Sequence, residues 1–319
     1  MPLQKIASTL AKMTTQRKLA RPVHLILDWD GTLTAKDTLS ILGHLPKARD
    51  KRLGRNHQPA HSWDDFAEAY MRDYTKQKQA HFPATSDRQA YSNWLASLRD
   101  VEYASAKRIS DTGYFRGVTA ADVANVAQNA IDTGEVQLRN GWQHLFELFL
   151  PSDAPTSSKL SILSVNFSQT FIRGCIRHAV QSLHASGKQR QLIDYIEKMD
   201  VKANEIEGLD LSEGSTGKLV GEIRTAPDKL RHLPAPMDER VVVYVGDSPT
   251  DYECLRRADV GIWICDCAED EYRQPFSETF KPLDCEATPL RKGSASDGQF
   301  YWTRSLGEVA EYLQALKES

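Results

Sequence analysis

The sequence predicts an α/β protein: a parallel sheet with helices on both faces and an all-helical segment inserted after the first strand. Three observations carry this. Residues 23–27, 160–165, 241–245 and 260–264 are short, near-continuous apolar runs rich in Val, Ile and Leu. Runs without polar alternation are the pattern of strands covered on both faces. The long stretch between the first two runs has almost no strand signal and repeats its apolar residues at helical spacing.

The order along the chain follows. Lys5, Lys12, Arg17, Lys18 and Arg21 precede the first run, and no acid appears before Asp28. Such a start is either a solvated arm or a mitochondrial transit peptide. After the first strand, Ser62-Trp-Asp-Asp65 reads as a capping box opening a helix with Trp63, Phe66, Ala67, Tyr70, Met71 and Tyr74 on one stripe. Tyr91, Trp94, Leu95, Leu98 and Val101 form a second stripe. Thr119 and Asp122 open a third, with Val123, Val126, Ala127, Ala130 and Ile131. The three stripes are expected to form the core of a helical bundle. Gly141 precedes a helix returning to the sheet, and residues 151–158 are a Pro/Ser-rich connector. Residues 171–199 are helical in pattern, 266–297 read as a loop-rich elaboration, and Ser305 to Glu308 opens a final helix.

The composition bounds the function. With 319 residues the chain holds two domains, or one large domain with an insertion. A net charge of −3 gives no general attraction to nucleic acid. No apolar run approaches the roughly 18 residues of a membrane span, so no membrane partner is expected. Cys175, Cys254, Cys265, Cys267 and Cys285 form no CxxC pair. That spacing argues against a disulfide scaffold or structural zinc and fits a reducing, cytoplasmic setting.

In open α/β sheets the ligand site lies at the carboxyl ends of the strands. The first end reads Asp28-Trp-Asp30-Gly31-Thr32-Leu-Thr34. Asp is a poor strand former. A turn explains Asp30-Gly31 but leaves Asp28 unexplained. Acids facing one pocket repel unless a cation lies between them. The second end offers Ser164 and, just beyond, Asn166 and Phe167. The fourth, Gly246-Asp247-Ser248-Pro-Thr-Asp251, spaces two acids by one helical turn. Between them, a Gly-rich turn at 214–217 is followed by Lys218 and, further on, Lys229. Hard oxygen donors in this number suit Mg²⁺ beside a phosphate.

Asp28-Trp-Asp-Gly-Thr-Leu-Thr34 resembles the DxDGTxT signature of the haloacid dehalogenase superfamily, and residues 246–251 resemble the GDSxxD form of its fourth motif. Ser164 and Lys229 are similar to its second and third motifs. The helical insertion resembles the cap of the phosphoserine-phosphatase-like branch. The resemblance implies a Rossmann-like core over 22–35 and 139–319, a cap over 36–138 and an arm over 1–21. It implies an enzyme hydrolysing a small phosphorylated metabolite through a phospho-aspartate, with Asp28 as nucleophile and Asp30 as acid and base. Thr32 and Ser164 would hold phosphate oxygens, and Lys229 rather than Lys218 would neutralise them. Mg²⁺ would be held by Asp28, the Asp30 carbonyl and Asp247, with Asp251 as ligand or supporting acceptor and Ser248 as a supporting donor. A phosphotransferase or a non-catalytic binding protein on the same scaffold is the alternative.

Asp37 either meets a cationic group on the substrate or caps the next helix, and Asn166 and Phe167 border the pocket. His44, His57, His61 and His81 read as surface residues, as does Arg116. Pro59 between His57 and His61 spoils a helical metal pair.

Overall fold

The computed structural model describes residues 22–55, 60–151, 158–183, 187–235, 240–292 and 300–318. The N-terminal arm, His57, Pro59 and most of the 151–158 connector lie outside the described residues.

The strands are β1 (Val23–Leu27), β2 (Lys159–Leu163), β3 (Asp200–Lys202), β4 (Glu205–Ile206), β5 (Leu219–Val220), β6 (Val241–Gly246), β7 (Val260–Ile264), β8 (Ala287–Pro289) and β9 (Phe300–Thr303). Seven of them form one sheet in the order β3-β2-β1-β6-β7-β9-β8. Every pairing in it is parallel. Leu25 stands opposite Leu160 on one side and Val243 on the other. This register brings the carboxyl ends of β2, β1 and β6 into one row. The Asp28 N–H donates to the Val245 carbonyl at 3.0 Å and the Ser164 N–H to the Lys202 carbonyl at 2.9 Å, so both residues continue the ladder. A separate antiparallel pair, β4 with β5, carries the Gly-rich turn.

The segment between β1 and β2 is helical: α1 (Leu45–Arg52), α2 (Trp63–His81), α3 (Arg88–Ser97), α4 (Arg99–Thr112) and α5 (Ala120–Asp132), with α6 (Trp142–Glu147) leading back. Then come α7 (Gln169–Gln181), α8 (Gln189–Lys198), α9 (Ala226–Arg231), α10 (Tyr252–Arg257), α11 (Arg273–Thr279) and α12 (Leu306–Glu318). The capping boxes at Ser62/Asp65 and Thr119/Asp122 form with both reciprocal bonds, each supplying partners for backbone N–H groups at a helix start.

Alternate residues of the strands feed two apolar layers, as period-two geometry requires. Leu25, Leu27, Val243, Val245 and Ile262 face one layer. Ile26, Val242, Tyr244 and Trp263 face the other. The apolar stripes of the inserted helices join these same two layers. Val123, Val126, Ala127 and Ala130 of α5 share the first layer with Phe171, Ile172, Cys175 and Ile176 of α7. Gly174 permits this approach, because a Cβ there would stand 3.0 Å from the Ala127 methyl. Tyr91, Trp94 and Leu95 of α3 join the second layer with Tyr252 and Phe276. On α2, Ala67 and Met71 point to solvent, so that stripe is narrower than its spacing suggests.

The stretch 266–297, read as a loop-rich elaboration, has regular elements among its described residues. It holds α11 and the edge strand β8, and β9 follows between β7 and β8; Phe276, Phe280, Phe300 and a Tyr272–Trp302 stack at 4.5 Å close the group. Strands this short carry no readable alternation, although the aromatic Phe300-Tyr-Trp triplet is a β-type composition.

Candidate active site

Immediately after Asp28 the chain makes a tight turn over Trp29–Leu33. Gly31 has φ of 69°, and a Cβ there would collide with the Asp247 carboxylate. The turn therefore requires glycine twice over, once for its backbone and once for the neighbouring acid. For the phosphatase that the resemblance implies, Gly31→Ala is expected to cost about a hundredfold in turnover, because it displaces Asp247. Phosphate release compared with the urea midpoint checks this; a loss confined to stability would refute the positional argument. Arg139 braces the same turn from behind. Its guanidinium donates to the Thr32 carbonyl at 3.0 Å and to the Gly31 carbonyl at 2.5 Å, and it pairs with Asp266.

The charged centre is buried. Lys229 Nζ lies 2.8 Å from Asp28 Oδ1 and 2.7 Å from Asp251 Oδ1, and all three side chains are almost wholly excluded from water. Lys229 is delivered by α9, whose start is fixed by a Thr225/Asp228 capping box. Asp251 Oδ1 also accepts from the Tyr244 hydroxyl at 2.6 Å. Its Oδ2 accepts from the N–H groups of Asp247 and Ser248 and from the Ser248 hydroxyl. Asp247 accepts a hydrogen bond from Thr32 at 2.9 Å, and its carbonyl accepts from Trp263 Nε1 at 2.8 Å.

The electrostatics follow from this crowding. Burial raises the Asp28 carboxyl, and the charge on Asp251 raises it further against the pull of Lys229. Burial and Asp251 push Asp247 up to about 7. Burial opposes charge on Lys229, but Asp251 and Asp28 outweigh it and hold the ammonium above its ordinary range. One carboxylate oxygen from each of Asp28, Asp247 and Asp251 can be chosen so that all three lie within 4.8 Å of one another. Three acids against one lysine leave an excess of negative charge. A divalent cation fits that donor set. Asp251 has donors on both oxygens already, so Asp28 and Asp247 are the acids with capacity to ligate.

Asp30 stands apart from this cluster. Its Oδ1 accepts from the Thr38 N–H at 2.7 Å and hydroxyl at 2.6 Å, and its Oδ2 from Asn166 Nδ2 at 2.9 Å. Trp29 Nε1 donates to Thr38 in turn. Burial, then the charge of Asp37, raises the Asp30 carboxyl to about 6, against the hydrogen bonds of Thr38 and Asn166.

The expected site residues are thus brought together, several of them bonded to one another. The resemblance puts Thr32 on phosphate, but its one hydroxyl proton goes to Asp247. The sequence puts Asn166 at the substrate, but its amide holds Asp30 and Thr38 while its oxygen accepts from the Ser168 N–H. Asp37 is exposed and accepts from the Leu39 N–H, the capping alternative, while its charge reaches Asp30. Ser164 is fully buried, and its Oγ accepts from the Asn166 N–H at 3.0 Å, which leaves its proton to donate. Lys218 is exposed on the β4–β5 turn, whereas Lys229 is on Asp28. His44, His61, His81 and Arg116 are exposed. Sequence reasoning missed Thr38 as the residue that holds Asp30. It also missed Tyr244, Trp263 and Arg139; their only signal is ordinary apolar or basic character.

Asp37 lies close enough to Asp30 and to Tyr70 of α2 for its charge to act on both. Tyr70 of α2 donates to Glu102 of α4 at 2.8 Å. Burial raises Glu102 to about 7. A carboxyl raised on folding adds stability below its unfolded pKa and loses it as pH rises through the folded value. Glu102→Gln keeps an acceptor for Tyr70 and cannot ionise. It is therefore expected to exceed the wild type in stability at about pH 8, with the gap narrowing toward about pH 5. Urea midpoints at the two pH values check this, and a gap independent of pH would refute it.

The sheet order and the placement of the site at its carboxyl edge define the class: a Rossmann-like α/β fold, shared with a solved 5'-nucleotidase. A solved cytosolic 5'-nucleotidase IIIB, bound to cytidine, superposes with a TM-score of 0.51 at 13% identity, covering 98% of this chain and 91% of that one. A phosphoserine phosphatase, solved as a phospho-aspartyl intermediate analogue, gives a TM-score of 0.44 at 13% identity over 92% of this chain and 99% of that one. Among curated proteins, a CTO1 family protein of Schizosaccharomyces pombe is 25% identical over 252 residues, 74% of this chain and 80% of that protein. The bifunctional TH2 protein, mitochondrial, of Arabidopsis thaliana is 23% identical over 286 residues, which span 80% of this chain but 42% of that protein. No family model matches the chain.

Proposed function

We propose that this chain is a Mg²⁺-dependent phosphomonoesterase that works through a phospho-aspartate on Asp28, with a small phosphorylated metabolite as substrate. The observation that carries the reading is the buried Asp28–Lys229–Asp251 array beside Asp247, with Asp30 set apart and raised to about 6. A carboxylate attacks a phosphate monoester poorly because both are anions. Lys229 reduces that repulsion, and burial without water strengthens its effect.

In the first step an Asp28 oxygen bonds to phosphorus as the ester P–O bond breaks. Protonated Asp30 gives its proton to the leaving oxygen. In the second step Asp30, now a carboxylate, takes a proton from water as the water oxygen bonds to phosphorus. The acyl P–O bond breaks, returning Asp28 and releasing inorganic phosphate. A pKa near 6 populates both forms of Asp30 close to neutrality, as an acid that becomes a base requires. Ser164 donates to a phosphate oxygen, while Thr32 and Asp251 position Asp247 and Lys229. When bound by Asp28, Asp247 and the Asp30 carbonyl, Mg²⁺ would offset the phosphate charge. The helices over 36–138 act as a cap that limits substrates to small molecules. The nucleotidase that shares the fold is named for a substrate of that kind.

The test is phosphate release across phosphorylated sugars, amino acids, nucleotides and vitamin precursors, with Mg²⁺ and with chelator. Hydrolysis that needs Mg²⁺ and leaves a hydroxylamine-labile phosphate on Asp28 is expected. No hydrolysis of any ester, or transfer only to an added acceptor alcohol, would overturn the reading.

A further inference from the structure

Arg224 is a strongly buried cation near the site that the mechanism leaves unused. It is 5% exposed, yet its Nε and Nη1 have no hydrogen-bond partner. Its guanidinium lies over two aromatic rings, 5.8 Å from the centroid of Phe167 on the core and 5.4 Å from that of Tyr103 on α4. Those contacts satisfy its faces and leave its edge donors unmet. Among the described residues no carboxylate stands within ion-pair distance of it. Glu102 lies close enough to feel its charge but accepts from Tyr70. Asp228 is engaged by Arg99 and Arg231.

Its place in the fold gives the orphaned donors a direction. Asp30 protonates the leaving oxygen, so the organic part of the substrate lies on the Asp30 side. Asn166 holds Asp30, Phe167 follows it, and Arg224 packs on Phe167. The Arg224 main chain is anchored, since its backbone N–H donates to Asp228 Oδ2 at the start of the helix that carries Lys229. A leaving group extending from Asp30 past Asn166 and Phe167 runs toward the Arg224 guanidinium.

We infer that Arg224 is a specificity residue that binds a second anionic group, a carboxylate or a further phosphate, on the leaving portion of the substrate. This rests on the phosphatase reading above and narrows it to phosphomonoesters with an anionic tail. A guanidinium fork matches either anion in bidentate fashion.

The experiment compares matched esters: phosphoglycerate, which has a carboxylate, against glycerol phosphate, which has a hydroxymethyl group in its place. A sugar bisphosphate compared with its monophosphate separates a phosphate tail from a carboxylate tail. Wild-type kcat/KM is expected to favour the anionic-tail ester of at least one pair by about ten- to a hundredfold. Arg224→Met is expected to abolish that preference through the KM of the anionic-tail ester, with a smaller effect on the neutral ester. Arg224→Lys keeps the charge without the fork and is expected to restore part of the preference. A wild type with no preference in either pair overturns the inference while the phosphatase reading stands. Arg224→Met slowing both esters by the same factor also overturns it, since that is a structural role. A wild type inactive on every ester overturns the phosphatase reading and this inference together.

Discussion

Asp28→Asn is expected to lose phosphate release by about ten-thousandfold or more, the scale seen when a nucleophile is removed from a covalent mechanism. The amide has nearly the same shape but cannot form the acyl phosphate. Stability is expected to move the other way. Asp28 is buried with Asp251 and Asp247 close by, and this environment disfavours its charge. Removing that charge leaves Lys229 its hydrogen bond to Asp251. The metal-free variant is therefore expected to be at least as resistant to urea as the wild type. Steady-state kinetics, mass spectrometry to exclude deamidation and a urea titration read the two effects separately. Wild-type rates from an Asp28→Asn protein shown to retain its amide would end the mechanism proposed here.

Lys229→Met is expected to remove both activity and stability. The lysine separates Asp28 from Asp251 in a place with no access to water. Taking away one member of a buried ion pair costs about 3–5 kcal/mol, because the remaining charges are left uncompensated. The double variant with Asp28→Asn is expected to recover part of the lost stability and none of the activity, since the two residues interact directly. Lys218→Met, on an exposed turn, is expected to change neither. Additive stability effects of the Asp28 and Lys229 substitutions would argue against the buried array. Loss of activity at Lys218 alone would move the phosphate-binding role there.

The contrast between the two lysines shows how far the sequence could be read. Spacing from the Gly-rich turn favours Lys229 through resemblance to related chains. Only the packing of α9 against the Asp251 loop shows Lys229 buried on two acids and Lys218 in water. The β-branched runs of β1, β6 and β7 are readable because a strand covered on both faces has no polar alternation. β3, β8 and β9 are not, being three or four residues long at or near the sheet edges. The helical stripe from Val123 to Ala130 is legible as a buried face, but its partner is not. Period marks which side of a helix is apolar and says nothing of what covers it. Here the cover is α7 of the sheet domain.

The site divides the same way. Asp28, Asp30, Asp247 and Asp251 are legible because acids at the ends of apolar strands demand a chemical reason, and the sequence by itself determined that they gather at one edge of one sheet. Tertiary structure alone decided what each of them touches. Thr32 turned to Asp247, Asn166 to Asp30, and Asp251 to Lys229 and Tyr244. Arg224 came to rest between a core ring and a ring of the inserted helices. The physical reason is range. A strand and the residue that ends it are set by neighbours along the chain. A hydrogen bond or a buried charge is set by whichever side chain arrives from far away in sequence.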